Sequence, residues 1–400
     1  MSGNVAKDGA ARVARIAGYT GAGIGLASAA GSLGAGAYLA RLLLTPERER
    51  PEIEEILAVD GDTITLRATE ETVVPGRYGL WFDRGDGHLR LGEILAADEG
   101  SVTRRIDAVD SGIPGPGPAR WDGYYYSRSP DRSLGLTTYD VLVPSDIGDL
   151  PAWLVPGADP ATATAQSGRW AILVHGRGAT RHECLRAVPV LHRLGITSLI
   201  PTYRNDVGSP PSPDGLYNLG LSEWRDTEAA IAYAVAHGAR DVVLMGWSMG
   251  GAIVLQTLDL SPLAQHVSRV VLDSPVIDWA DVIAHQARLR KVPRWLARLA
   301  ESLLGAAWSR RLVGVHEPLD VARTNWQDRA GELRHSILLI HSADDEFVPV
   351  GPSRELAARR PDLVQFAQWH TARHVKEWNV DAPAWEQLVA DYLLSQPTTS

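Results

Sequence analysis

The chain has 400 residues, a formal net charge of −9, and 45% apolar and 22% charged side chains, an ordinary globular composition with length for two or three domains. No basic array with interleaved aromatic residues occurs, which argues against a nucleic-acid partner. The single cysteine, Cys184, excludes an intrachain disulfide framework, and no Cys/His cluster has metal-site spacing, so no metal or cofactor is expected.

From Ile16 to Ala40 the chain runs 25 residues without a charge. A helix of that length crosses a bilayer, and Gly21, Gly25 and Ala29 repeat at the spacing of close helix contacts in membranes. The expectation is a single N-terminal membrane anchor over residues 16–40 on an otherwise cytoplasmic protein. A flexible Gly/Ala tail and a cleaved signal peptide are the alternatives. Lys7, Arg12 and Arg15 before the run and Arg41, Arg48 and Arg50 after it leave the orientation open. Residues 1–50 form this segment and a polar, Pro-bounded linker.

Residues 51–130 read as a small β-rich accessory domain. Ile56-Leu57, Thr63 to Leu66, Tyr78 to Phe82, Leu91 to Leu95 and Ser101 to Val109 are strand-like, broken by Asp60-Gly61 and Asp83 to Gly87. Ile113 to Pro118 reads as a rigid loop, and the aromatic cluster Trp121 to Tyr126 as a packing surface for the next domain.

Residues 131–400 carry the longer pattern. Thr138 to Val143 and Leu150 to Val155 form a hairpin, and Cys184 falls further on in a helical stretch as a small core residue. Glu223 to Ala236 is an amphipathic helix that leads into Val242 to Met245, an apolar strand. The strand meets Gly246-Trp247-Ser248-Met249-Gly250 and then a helical pattern. A strand turning sharply into a helix with serine at the corner is a nucleophile elbow, and the helix N-terminus favours a developing oxyanion. Val267 to Leu272 is the next strand. Residues 278–330 are too many for an ordinary connection, so a helical cap is expected there. Within it, residues 288–311 hold seven basic residues (Arg288, Arg290, Lys291, Arg294, Arg298, Arg310 and Arg311) against Glu301, a net +6. Trp295-Leu296, Leu299, Leu303 and Leu304 give one apolar face, which either packs on the core or lies on an anionic membrane surface.

These pieces resemble the α/β-hydrolase superfamily in order, over about Tyr139 to Leu394. His175-Gly-Arg-Gly178 after a strand is similar to the loop that supplies half of an oxyanion hole. Ser336 to His341 followed by Ser342-Ala-Asp-Asp-Glu-Phe-Val-Pro349 is similar to the acid-bearing segment, with Ser342 where the family has glycine. Arg373-His374-Val-Lys-Glu-Trp378 is similar to the late histidine loop. The resemblance implies an α/β-hydrolase fold, a mostly parallel doubly wound sheet with a helical cap. It assigns Ser248 as nucleophile, His374 as base and Asp345 as acid, with the backbone N–H groups of Arg177 and Met249 as the oxyanion hole. His370, Asp344 and Asp273 are the rivals for base and acid, and His175 is a locally bonded turn residue.

The implied reaction is hydrolysis of a carboxylic ester or thioester through an acyl-enzyme on Ser248. The expected partner is a small-molecule or lipid-like acyl substrate, with possible membrane association through residues 16–40 and the basic cap 288–311. A serine peptidase is the enzymatic alternative, since the catalytic segment is also similar to that of prolyl-oligopeptidase-type peptidases. A non-catalytic tethered binding module is the other.

Overall fold

The computed structural model describes residues 31–46, 50–158 and 168–395. Six strands, β1 Glu54–Asp60, β2 Thr63–Arg67, β3 Tyr78–Phe82, β4 Gly87–Ala97, β5 Ser101–Ser111 and β6 Gly117–Asp122, close into a barrel in the order β1-β2-β5-β4-β3-β6. Alternate residues Ile64 and Leu66, Leu80 and Phe82, and Leu89 and Leu91 fill its interior. The sequence predicts five of these strands. The sixth falls where the sequence reads as a rigid loop and an aromatic cluster, because a short Pro-containing stretch carries almost no strand signal of its own. It becomes a strand by pairing with both β1 and β3, which closes the barrel.

The second sheet has eight strands: β7 Tyr139–Ser145, β8 Gly148–Val155, β9 Arg169–Val174, β10 Thr197–Pro201, β11 Asp241–Trp247, β12 Val267–Asp273, β13 Ile337–Ser342 and β14 Val364–Trp369. Their order is β14-β13-β12-β11-β9-β10-β8-β7, with β8 antiparallel to its neighbours β7 and β10 and the other pairs parallel. Val242 to Met245 and Ile337 to Ile340 are wholly buried, as parallel strands covered on both faces require. One face packs on the helices Trp224–Ala236 and Met249–Leu260, and the other on Val188–Arg193 and Ala382–Leu394. Trp247, Trp378 and Trp385 are among the largest fully buried side chains, each worth roughly 2–3 kcal/mol of transfer free energy. This is the α/β-hydrolase fold, preceded by a small β-rich domain.

The helices Trp279–Leu289 and Arg294–Gly305 between β12 and β13 form the cap. The second helix buries Ala297, Ala300, Leu303 and Leu304, whereas Trp295, predicted on the same face, is 57% exposed. Position 295 stands one helical step off the buried stripe.

Residues 31–44 are helical, and here the structure corrects the predicted anchor. Ala37, Ala40 and Leu44 join the core of the sheet domain, and a Cβ on Gly36 would lie 3.0 Å from Leu299 of the cap. Arg177 Nε donates to Leu43 O at 2.9 Å, and Tyr217 N donates to Leu44 O at 2.8 Å. Residues 31–40 are thus committed to packing on the protein, so a bilayer span over all of 16–40 is incompatible with this fold. Residues 16–30 lie outside the described residues. Among the described residues no helix is long and apolar enough to cross a membrane.

Candidate active site

The parallel strands end along one edge of the sheet, where sites on open α/β sheets form. Ser248 follows β11 with φ 51° and ψ −117°, a backbone conformation of roughly 1–3 kcal/mol strain for a residue with a side chain. The surrounding glycines make that turn possible. A Cβ on Gly250 would lie 2.1 Å from Val174 O, and one on Gly246 would lie 2.5 Å from Gly250 O. Ser248 N donates to Asp273 O at 3.0 Å, which ties the elbow to the neighbouring strand.

The structure brings the three predicted side chains together. Ser248 Oγ lies 3.0 Å from His374 Nε2, and His374 Nδ1 lies 2.8 Å from Asp345 Oδ2. The carboxylate's other oxygen accepts from the N–H groups of Phe347 and Val348, both at 2.8 Å. Burial would push Asp345 up, but the His374 charge and hydrogen bonds from His341 and His374 hold it well below the usual carboxylate range. Burial works to lower the His374 pKa, yet Asp345, through its charge and hydrogen bond, raises it above the ordinary histidine value. A hydroxyl, an imidazole and an ionised carboxylate in this chain allow proton removal from the serine as it attacks.

The rivals lie elsewhere. His370 is exposed, with Gln368 Nε2 3.4 Å away as its hydrogen-bond partner. Asp344 Oδ1 accepts from Arg373 N at 3.0 Å and from the Ser342 hydroxyl, so the serine that replaces the family's glycine stitches the acid loop to the histidine loop. Asp273 Oδ2 accepts from Trp385 Nε1 at 2.8 Å, and Glu377 Oε1 accepts from Ser274 Oγ at 2.9 Å. The remaining oxygens, Asp273 Oδ1 and Glu377 Oε2, are buried without another partner. A proton shared between them satisfies both: burial raises both pKa values, that of Glu377 well above its ordinary value. His175 bonds Asp206 at 2.9 Å and stacks on Tyr203.

Two neighbours escaped sequence reasoning. His341 Nε2 lies 3.1 Å from Asp345 Oδ2 while its Nδ1 lies 2.8 Å from Ser353 Oγ, so it orients the acid. Buried Glu183 accepts Gly176 N at 2.7 Å and shapes the loop before Arg177. His341 was legible only as a spacing landmark, and Glu183 carried no motif. That loop passes directly over the elbow, where a Cβ on Gly176 would lie 3.1 Å from Ser248 Cβ. Beside it, Leu39, Leu43, Val282, Leu304 and Phe347 line an apolar cavity of about 150 Å³, with Arg177 at its edge. The Phe347 ring, which lines this cavity, sits 5.2 Å from the His374 ring.

With this geometry, residues 171–384 match the alpha/beta hydrolase family. The chain belongs to that family. Residues 55–122 of this hydrolase, the barrel, match a family described as a domain of unknown function (DUF8805). A search of curated proteins found no match. Among solved structures, the hydrolase is similar to an esterase from Pyrococcus furiosus at 20% identity and a TM-score of 0.50, covering 67% of this chain and 93% of that one. It is also similar to the esterase domain of a Rhodothermus marinus protein, at 19% identity, 64% and 97% coverage and a TM-score of 0.44. A Xanthomonas campestris a/b serine hydrolase without lid is 17% identical over 65% of this chain and 97% of its own, with a TM-score of 0.43. At such identities the likeness is one of fold.

Proposed function

We propose that this hydrolase cleaves a carboxylic ester or thioester with an apolar acyl group through an acyl-enzyme on Ser248. The observation that carries the reading is the unbroken hydrogen-bond chain Ser248–His374–Asp345, with the elbow backbone strained to present the serine. His374 takes the serine proton as Oγ attacks the carbonyl carbon, and returns it to the leaving group. Water then repeats the cycle on the acyl-enzyme, and Asp345 stabilises the imidazolium in both halves. The N–H groups of Met249, first residue of the elbow helix, and of Arg177, in the loop over the serine, are assigned to the oxyanion. The apolar cavity beside Phe347 takes the acyl chain. A fluorophosphonate probe tests the reading. Wild type should label and Ser248→Ala should not, and labelling of Ser248→Ala at the wild-type rate would sink it.

In this reading the cap also meets an anionic, acyl-rich surface such as a membrane. Trp295, Trp308, Leu289 and Leu312 stand exposed amid its arginines. Replacing Arg290, Lys291, Arg294 and Arg298 with Gln should weaken sedimentation with anionic vesicles at low salt. Sedimentation equal to wild type would remove the cap from this role.

A further inference from the structure

Two residues flanking His374 adopt left-handed backbone: Arg373 with φ 61° and Val375 with φ 54°. For a β-branched residue such as Val375 that conformation is a true outlier, so something outside the loop must hold it. The hydrolase domain grips the loop's backbone. Arg373 N donates to Asp344, His374 N to Glu346 Oε2 at 3.2 Å, and Val375 N to Ser274 Oγ at 3.2 Å, while Arg186 Nη1 donates to Val375 O at 2.6 Å. The side chains of Arg373 and Lys376 turn the other way, toward the barrel.

There, Glu71 takes both, while Glu70 Oε2 accepts a further bond from Arg373 Nη2 at 3.3 Å. Glu71 Oε1 accepts from Arg373 Nη1 at 2.6 Å, and Glu71 Oε2 accepts from Lys376 Nζ at 2.7 Å. Burial would raise the Glu71 pKa, but Lys376 and Arg373 outweigh it and hold the group ionised. Glu71 belongs to the segment between β2 and β3, whose shape is set from inside the barrel. The Arg104 guanidinium is fully buried, and it donates to the carbonyls of Thr72 and Gly76 at 3.1 Å each and to Val74 O. A buried cation answered by carbonyls fixes loop shape, and burial lowers the Arg104 pKa to about 10. The same segment abuts the helix start after the histidine loop. Arg77 N donates to Asn379 O at 2.8 Å, Asn379 Nδ2 donates to Arg77 O, and Gly76, at φ 114°, leaves no room for a Cβ against Asn379 O.

We propose that the barrel works as a clamp on the histidine loop, and that Glu71 is a positioning residue for His374. The proposal rests on the hydrolase reading above. The barrel grips the histidine loop through Arg373 and Lys376, so its contribution there is the precision with which the imidazole faces Ser248. A small displacement of that ring costs rate while leaving the acyl pocket intact.

The experiment is done on the full chain with a p-nitrophenyl ester, with active serines counted by fluorophosphonate titration. Glu71→Ala should lower kcat per titrated serine by about tenfold with KM within about twofold, since a misplaced base acts on the chemical step. Arg373→Ala should do the same, and the double variant should lose less than the product of the two single losses, as expected for two residues that share a contact. An unchanged kcat per titrated serine in Glu71→Ala overturns the clamp, including where fewer serines titrate, since that outcome means the barrel serves only stability. Losses that multiply in the double variant also overturn it. Ser248→Ala in the same assay separates the two levels. Activity there defeats the hydrolase reading itself, whereas an inactive Ser248→Ala beside a fully active Glu71→Ala defeats the clamp alone.

Discussion

The elbow and the histidine loop both rely on positive-φ backbone, at Ser248 itself and at Arg373 and Val375 on either side of His374, but they are held by opposite means. Ser248 is fixed locally, because β11 behind it and the helix Met249–Leu260 ahead of it meet through Gly246 and Gly250 with no room for side chains. His374 is fixed from a distance, by the acid loop, by Ser274 beside the elbow and by Glu71 of the barrel. A site can therefore be half rigid by local geometry and half dependent on the docking of separate parts. Damage to the first half should unfold or kill, and damage to the second should detune.

The sharpest break in that contrast comes from the base itself. His374→Ala should lower kcat by about 10⁴-fold or more, and combining it with Ser248→Ala should scarcely deepen the loss, because the members act as a unit. His370→Ala, on the exposed strand end, should stay within about twofold of wild type. Steady-state kinetics on all four variants decides it, and the reverse ranking of the two histidines would overturn the assignment.

The local half is probed by Gly250→Ala. Its new methyl carbon would lie 2.1 Å from the Val174 carbonyl, where neither strand nor helix can yield, so destabilisation by about 3 kcal/mol or more is expected in denaturant unfolding. A stability equal to wild type would show that the elbow has slack.

The distant half shows in the pH profile. An imidazole can act as a base only when neutral, and the folded pKa of His374 lies above the ordinary 6.5. Activity is thus full at alkaline pH and lost as pH falls through that raised value. The acid limb of kcat/KM should have its midpoint above 6.5. Glu346, which accepts His374 N and adds to the raised pKa, offers a control: Glu346→Gln should move the limb toward lower pH.

The smallest effect concerns the shared proton beneath the elbow. Both carboxyls of the Asp273–Glu377 pair have raised pKa values, so their favourable neutral form is fully present below the ordinary carboxylate pKa and is lost as pH rises. Glu377→Gln keeps a donor for Asp273 and an acceptor for Ser274 without the titrating proton. Its thermal midpoint should match wild type near pH 5 and exceed it increasingly toward pH 9. Parallel curves would mean that the pair carries no proton.

What the sequence by itself determined is everything whose cause lies within a few residues. The buried strands announced themselves as apolar runs, the elbow as glycines around Ser248, and Asp345 and His374 through the order and spacing of similar loops. The barrel was legible up to its last strand. Tertiary structure decided the rest. β6 is a strand because β1 and β3 offer it partners, and residues 31–40, apolar enough to read as membrane-crossing, are apolar because they cover the cap and core. Periodicity and hydropathy report that a surface must leave water, not which surface receives it. Likewise His341 behind the acid and Glu71 against Arg373 carry no local signal: a hydrogen bond spanning 302 residues exists only once the chain has folded.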